Sequence, residues 1–224
     1  MNFKRTAKET KSQKEINFLT ACENGDIKNV KKLLSQGRKY MHHLNLSHHE
    51  IRDETLEKGF EIASAYAKLD VIRCLIPFVS NKIKEEQFIS ICETASSEQI
   101  SIMIPYVRND TLSLGIFESC KFQNREAVDF FIQNEYADLE EIFMSLCYCN
   151  SLDLIQDYIN QIDDETLFSG FEEACSAFIS EKSSGNVDLI LYLVAFGKTK
   201  GIDLRTNEYG YELTQLINEA YELY

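Results

Sequence analysis

Two prolines, nine glycines and no tryptophan in 224 residues leave this chain short of structure breakers. That scarcity excludes a turn-dense β architecture, because sandwiches and barrels place Gly, Pro, Asn or Asp at every hairpin. Long apolar runs are missing as well. The most apolar stretch, Val187 to Phe196, falls well short of the roughly 20 residues that span a bilayer. The opening MNFKRTAKETKSQKE has no apolar core of the kind a secretory signal needs. No Gly-rich phosphate loop, G-x-S-x-G or H-E-x-x-H motif occurs, so the common signatures of nucleotide, serine-hydrolase and zinc-protease chemistry are absent. Seven cysteines are present, but none forms a C-x-x-C pair or shows metal-ligand spacing, and without a secretory signal they do not read as a disulfide framework. The expectation is a soluble, cytoplasmic chain in a reducing compartment, with no transmembrane segment and no cofactor.

Charge is distributed unevenly. Residues 1–134 hold 19 Lys/Arg against 18 Asp/Glu, a net of +1, whereas residues 135–224 hold 4 against 18, a net of −14. Such an acidic surface repels phosphates, so nucleic acid is excluded as a partner. Residues 1–15 carry Lys4, Arg5, Lys8, Lys11 and Lys14, the composition of a basic flexible tail, with a basic arm for an acidic membrane surface as the alternative.

The stretch Phe18 to Gly37, FLTACENGDIKNVKKLLSQG, sets a pattern for the remainder. An apolar residue and a small one stand four apart, Asn24-Gly25-Asp26 turns the chain, and Val30, Leu33 and Leu34 then form one helical stripe. The apolar and small pair recurs as Phe60/Ser64, Phe88/Cys92, Ile116/Cys120, Phe143/Cys147 and Phe171/Cys175, with the small residues 28, 28, 27 and 28 apart from Ser64 onward. The stripe recurs as Ile72/Leu75/Ile76, Ile100/Met103/Ile104, Val128/Phe131/Ile132 and Ile155/Tyr158/Ile159. In the sixth unit seven extra residues around Ser180 to Gly185 precede Ile190, Leu193 and Val194. A helix pair with one apolar face cannot bury that face alone, so copies must stack.

The second, fourth and sixth units open on Asp53-Glu-Thr-Leu-x-x-Gly59, Asp110-Thr-Leu-x-x-Gly115 and Asp164-Glu-Thr-Leu-x-x-Gly170. Asp is a favoured N-cap. A glycine inside a helix costs about 1 kcal/mol against Ala, a cost that close packing against a neighbouring helix would offset. Pro77 and Pro105, 28 apart in Ile-Pro-Phe-Val and Ile-Pro-Tyr-Val, are expected to end or bend two second helices.

These residues resemble the ankyrin repeat. Phe18 takes the place of the Leu in that family's T-P-L-H, Ala21-Cys22 that of its Ala-Ala, and Asn24-Gly25 that of its turn. Val30-x-x-Leu33-Leu34-x-x-Gly37 follows its second helix, and Gly201-Ile-Asp203 through Gly210-Tyr-Glu-Leu is similar to its hairpin. T-P-L-H itself never appears, and the period near 28 is shorter than the family's roughly 33. The resemblance implies an all-α fold, an ankyrin-like α-solenoid of stacked helix pairs with reduced or missing β-hairpin fingers. Units are expected near 16–37, 53–79, 83–107, 110–134, 138–162 and 164–197, with a terminal hairpin and cap over 201–224, an insertion at 38–52, and one repeat domain covering 16–224.

Chemistry-bearing residues are few. Cys22, Cys92, Cys120, Cys147 and Cys175 occupy the small-residue position, which reads as packed, inert thiols, and Cys74 and Cys149 fall outside that rule. All four histidines, His42, His43, His48 and His49, lie in the 38–52 insertion with Glu50. They have donor types suited to zinc or nickel, which leaves a metal-stabilised scaffold as one alternative and a Cys/His-dependent hydrolase as another. Adjacent doubled histidines cannot all face one ion, so the insertion reads first as a polar loop, with no metal and no catalytic residue assigned. Glu140, Glu141, Asp163, Asp164, Glu165, Glu172 and Glu173 recur at the openings of successive units, as a charged face does. The resemblance places such openings on a concave side. The expected function is therefore a monomeric protein-interaction scaffold that takes a basic segment of a protein partner on that acidic surface. The Lys/Asn/Ile/Ser-rich composition and eroded repeats are also similar to ankyrin proteins deployed inside host cells, which implies a host-directed effector in the host cytosol.

Overall fold

The computed structural model describes residues 12–36, 51–181, 185–205 and 211–223. Among them the chain is all-helical, with no strand. The helices run in order as α1 (Gln13–Asn24), α2 (Ile27–Gln36), α3 (Asp53–Ala65), α4 (Leu69–Leu75), α5 (Asn81–Thr94), α6 (Ser97–Met103) and α7 (Asn109–Lys121). They continue as α8 (Arg125–Gln133), α9 (Leu139–Tyr148), α10 (Leu152–Tyr158), α11 (Asp164–Glu181), α12 (Gly185–Lys200) and α13 (Tyr211–Leu223). The chain divides into two compact units, one of Met1–Ile91 with Glu98–Arg108, the other of Cys92–Ser97 with Asn109–Tyr224.

In the first unit α1 packs on α2 and α3, and α3 on α4. Its core is built from the expected positions: Phe18, Val30, Phe60, Ile72, Leu75, Phe88 and Ile100 are wholly buried. In the second unit α7 packs on α8 and α9, α9 on α10 and α11, and α12 on α11 and α13. Val128, Phe131, Phe143, Ile155, Phe171, Ile190, Leu193 and Val194 fill that core. The period of the apolar residues thus corresponds to one buried stripe per helix.

One turn is repeated in both units. Three residues after the small residue stand Gly25, Ala67, Gln123 and Asn150, each in the left-handed region with φ of 70°, 50°, 56° and 57°. Each closes the same pair of bonds: the Gly25, Ala67, Gln123 and Asn150 amides donate to the carbonyls of Cys22, Ser64, Cys120 and Cys147. The next amides, of Asp26, Lys68, Asn124 and Ser151, donate to Ala21, Ala63, Ser119 and Leu146. This is the arrangement that satisfies the last carbonyls of a helix while reversing the chain.

Two of the in-helix glycines stand where a neighbouring helix leaves no room. A Cβ on Gly59 would lie 2.6 Å from Cε1 of Phe18 and 3.0 Å from Sγ of Cys22, and one on Gly170 would lie 2.5 Å from Cε1 of Phe143 and 3.0 Å from Sγ of Cys147. The glycine of one unit therefore seats the anchor pair of the preceding one. Polar side chains stitch successive repeats too. Gln99 donates to the Ser64 carbonyl at 2.7 Å, Asn124 to those of Cys92 and Ala95 at 3.1 and 3.0 Å, and Ser151 to that of Cys120 at 2.6 Å. The Ser64 and Cys120 carbonyls, which the turn amides of Ala67 and Gln123 already reach, thereby gain a second donor.

Several expectations need revision. The first helix starts inside the segment expected to be tail. Ser12 and Glu15 form a reciprocal capping box, and the buried Glu15 carboxylate takes Arg52 Nε at 2.7 Å and the Thr55 hydroxyl at 3.0 Å; residues 1–11 lie outside the described set. Asp53 and Asp164 are first helical residues and Asp110 is the second residue of α7, so none of the three is a cap. Arg52 precedes α3 without a side-chain cap, while Asp163 Oδ1 accepts from the Thr166 amide at 2.8 Å. The extra residues of the sixth unit extend α11 to Glu181, because Ala177 continues its buried stripe. Pro77 and Pro105 do end helices, in short 3₁₀ turns over Ile76–Phe78 and Ile104–Tyr106. Of the expected terminal hairpin, residues 202–205 are irregular and 206–210 lie outside the described set.

Candidate functional site

The seven carboxylates expected to face a partner all belong to the second unit. Glu140 and Glu141 occupy the first turn of α9, following Asp138, whose Oδ1 accepts from the Glu141 amide at 2.7 Å. Asp163 caps α11 and Asp164 and Glu165 fill its first turn. All five are exposed. The bond from the Thr166 amide, more than anything else, holds the Asp163 carboxyl below its ordinary range, and acidic residues here also complement the positive end of the helix dipole. Glu172 and Glu173 do not belong to an opening. They lie two turns into α11, where the dipole offers nothing, with Glu172 exposed and Glu173 half-buried.

What distinguishes these groups is the composition of their segment, since residues 135–224 hold 4 Lys/Arg against 18 Asp/Glu. Some carboxylates elsewhere pair: Glu61 with Lys58, Glu85 with Arg108, Glu86 with Lys82, Glu98 with Arg73, Glu118 with Lys121 and Asp157 with Arg125. Among the described residues, none of the seven has an ion-pair partner. They sit on adjacent helices, since α9 packs on α11. Their fields reach the core thiols. Burial pushes the Cys147 thiol well up and Glu173 adds to it, and Glu172 adds to the burial that pushes Cys175 up to about 12. Burial, then Cys149, and last Glu141 push up the thiol of Cys120, which stands on α7.

The sequence pattern also passed over an apolar surface beside them. Leu114 is 53% exposed, Phe122 49% and Tyr148 40%, and Phe117 and Met144 are half-buried. The rings of Phe117 on α7 and Tyr148 on α9 meet at 6.0 Å between centroids, tilted by 52°. A usable signal existed: large apolar residues off the buried stripe of helices whose stripe is already filled.

The repeat cysteines are packed residues. Cys22, Cys92, Cys120, Cys147 and Cys175 are buried, and Cys74 and Cys149 intermediate. Burial pushes Cys22 and Cys92 up to about 12, which keeps them protonated and poorly nucleophilic at neutral pH. His42, His43, His48 and His49 lie outside the described residues. Among the described residues no group of three or more His, Cys, Asp or Glu is placed to hold a metal ion. No helix among them is long and apolar enough to cross a membrane. Comparison with family models, curated proteins and solved structures returned no match.

Proposed function

We propose that this protein is an interaction scaffold, an ankyrin-like α-solenoid of helix pairs whose acidic second unit captures a basic segment of a protein partner. The observation that carries the reading is the cluster of seven carboxylates on the adjacent helices α9 and α11, within residues 135–224, which hold 4 Lys/Arg against 18 Asp/Glu. A surface field of one sign concentrates and steers a partner of the other, at a rate that falls as salt screens it. Support for the repeat architecture comes from the recurrent left-handed turn at residues 25, 67, 123 and 150 and from the glycine seats at residues 59 and 170.

The test is binding of a fluorescent decalysine peptide at low and at moderate salt. Reversing Glu140, Asp164, Glu165 and Glu172 to lysine is expected to abolish binding while the helical circular dichroism persists. Reversing Asp53, Glu54 and Glu57 in the first unit is expected to leave most of it. Equal loss in both variants would refute a localised site.

A further inference from the structure

Resting on that reading, we infer that the captured segment is an amphipathic basic helix, seated on an apolar strip along α7 and α9 and flanked by the carboxylates of α9 and α11.

The repeat register lays out the surface. Three residues before the small residue stand Phe117, Met144 and Glu172; six before it, Leu114, Glu141 and Ser169; one after it, Lys121, Tyr148 and Ser176. Leu114, Phe117, Met144 and Tyr148 therefore form an apolar strip on two adjacent helices, closed by the contact between Phe117 and Tyr148. Glu140 and Glu141 border it at the start of α9, and Glu172 continues the same row on α11. Large exposed apolar residues in contact mark an interaction surface more often than scattered single ones do. The strip's cation, Lys121, is already held by Glu118 at 3.0 Å and stands over the Phe122 ring at 5.2 Å, so the net field on an approaching partner is negative.

Backbone chemistry selects the form of the partner. Helices spend their amides and carbonyls internally, and among the described residues there is no strand edge to which an extended peptide could add. A segment that buries itself on this strip has to satisfy its own backbone, which a helix does. Its apolar face would cover Leu114, Phe117, Met144 and Tyr148, and Lys or Arg beside that face would meet Glu140, Glu141 and Glu172. A second copy is a poor occupant, because a two-fold contact through this strip would set like carboxylates against one another. Anionic lipid is repelled for the same reason.

Three labelled peptides test the assignment by fluorescence anisotropy: a Leu/Lys 18-mer with Leu at i, i+3, i+4 and i+7; the same composition scrambled so that no face is apolar; and an oligolysine with the same number of lysines. The patterned peptide is expected to bind at least about tenfold more tightly than the other two and to gain helical circular dichroism on binding. Leu114→Ser with Tyr148→Ser is expected to remove that advantage, and Tyr148→Phe to keep it, with the melting temperature unchanged in both. Equal binding of all three peptides, abolished by the lysine reversals, would overturn the helix assignment and leave the acidic scaffold standing. Binding of none would overturn both. Self-association that Leu114→Ser with Tyr148→Ser dissolves would replace the helix with a second copy of the chain.

Discussion

Adding one methyl group at residue 170 sets two known effects against each other. In an exposed helix Gly→Ala stabilises by about 1 kcal/mol, because Ala loses less backbone entropy. At Gly170 the new Cβ would stand 2.5 Å from Cε1 and 2.8 Å from Cδ1 of Phe143, and 3.0 Å from Sγ of Cys147. Neither neighbour can give way easily, for Phe143 is wholly buried and Cys147 is 1% exposed. Overpacking of this kind costs about 1–3 kcal/mol, and contacts this short belong at the upper end. The expected net for Gly170→Ala is a loss of about 1–2 kcal/mol after the propensity gain, or about 2–8 °C in melting temperature for a chain of this size. Urea unfolding followed by far-ultraviolet circular dichroism measures it. Phe143→Leu in the Gly170→Ala background should recover part of the loss relative to the sum of the single changes, since it removes the ring that the methyl meets. A Gly170→Ala variant as stable as the parent, or more so, would refute the close approach of α9 and α11.

Glu15→Gln should cost about 2–3 kcal/mol near neutral pH, less than the full cost of breaking a buried pair because Arg52 is partly exposed. Chiefly the Arg52 hydrogen bond lowers the Glu15 pKa from its ordinary 4.5 to about 2, so its contribution is complete above pH 4.5 and lost as pH falls through 2; denaturation curves of parent and variant should converge over that window, and a constant gap would refute the assignment. Cys147→Ala should cost about 1–2 kcal/mol, whereas Cys147→Asp should prevent folding by burying an unpaired charge. In the native state a thiol reagent should modify Cys74 and Cys149 well before Cys22, Cys92, Cys120, Cys147 and Cys175, and rapid labelling of the five would contradict their burial. Ala67→Gly and Gln123→Gly should each be neutral to stabilising by up to about 1 kcal/mol, because both residues hold positive φ, while Gly25→Ala should destabilise by about 1 kcal/mol, as thermal melts would show.

The helical class and the core followed from residues that can be read one by one. Phe18, Phe60, Phe88, Phe143 and Phe171 are wholly buried, as their spacing requires, and Gly59 and Gly170 are seats for the preceding anchors. Boundaries were less legible because they depend on single hydrogen bonds. Asp163 and Asp164 are chemically alike, and only the geometry that brings Oδ1 of Asp163 to the Thr166 amide makes one the cap and the other the first helical residue. Ser12 and Glu15 likewise start a helix in a lysine-rich stretch, because a buried partner, Arg52, waits for the carboxylate. At the candidate site the carboxylates were visible as charge, whereas the strip formed by Leu114, Phe117, Met144 and Tyr148 required knowing that α7 and α9 are adjacent.

The turn that follows α1, α3, α7 and α9 shows how one backbone conformation recurs without one recurring residue. After α1, Asn24-Gly25 announces the turn, since glycine reaches a φ of 70° without strain. After α3, α7 and α9 the same place is held by Ala67, Gln123 and Asn150, of which only the Asn suits the left-handed region. The conformation is the same where the residue that would signal it is absent. Such a position can be strained only where its surroundings hold it, and here they do: the amides that follow are bonded back to Ala63, Ser119 and Leu146. The side chains of Asn124 and Ser151, one residue further on, anchor in the carbonyls of the preceding repeat. After α7 and α9 the turn is thus held by carbonyls of an earlier helix end as well as by its own sequence, which is why its backbone forms without a glycine.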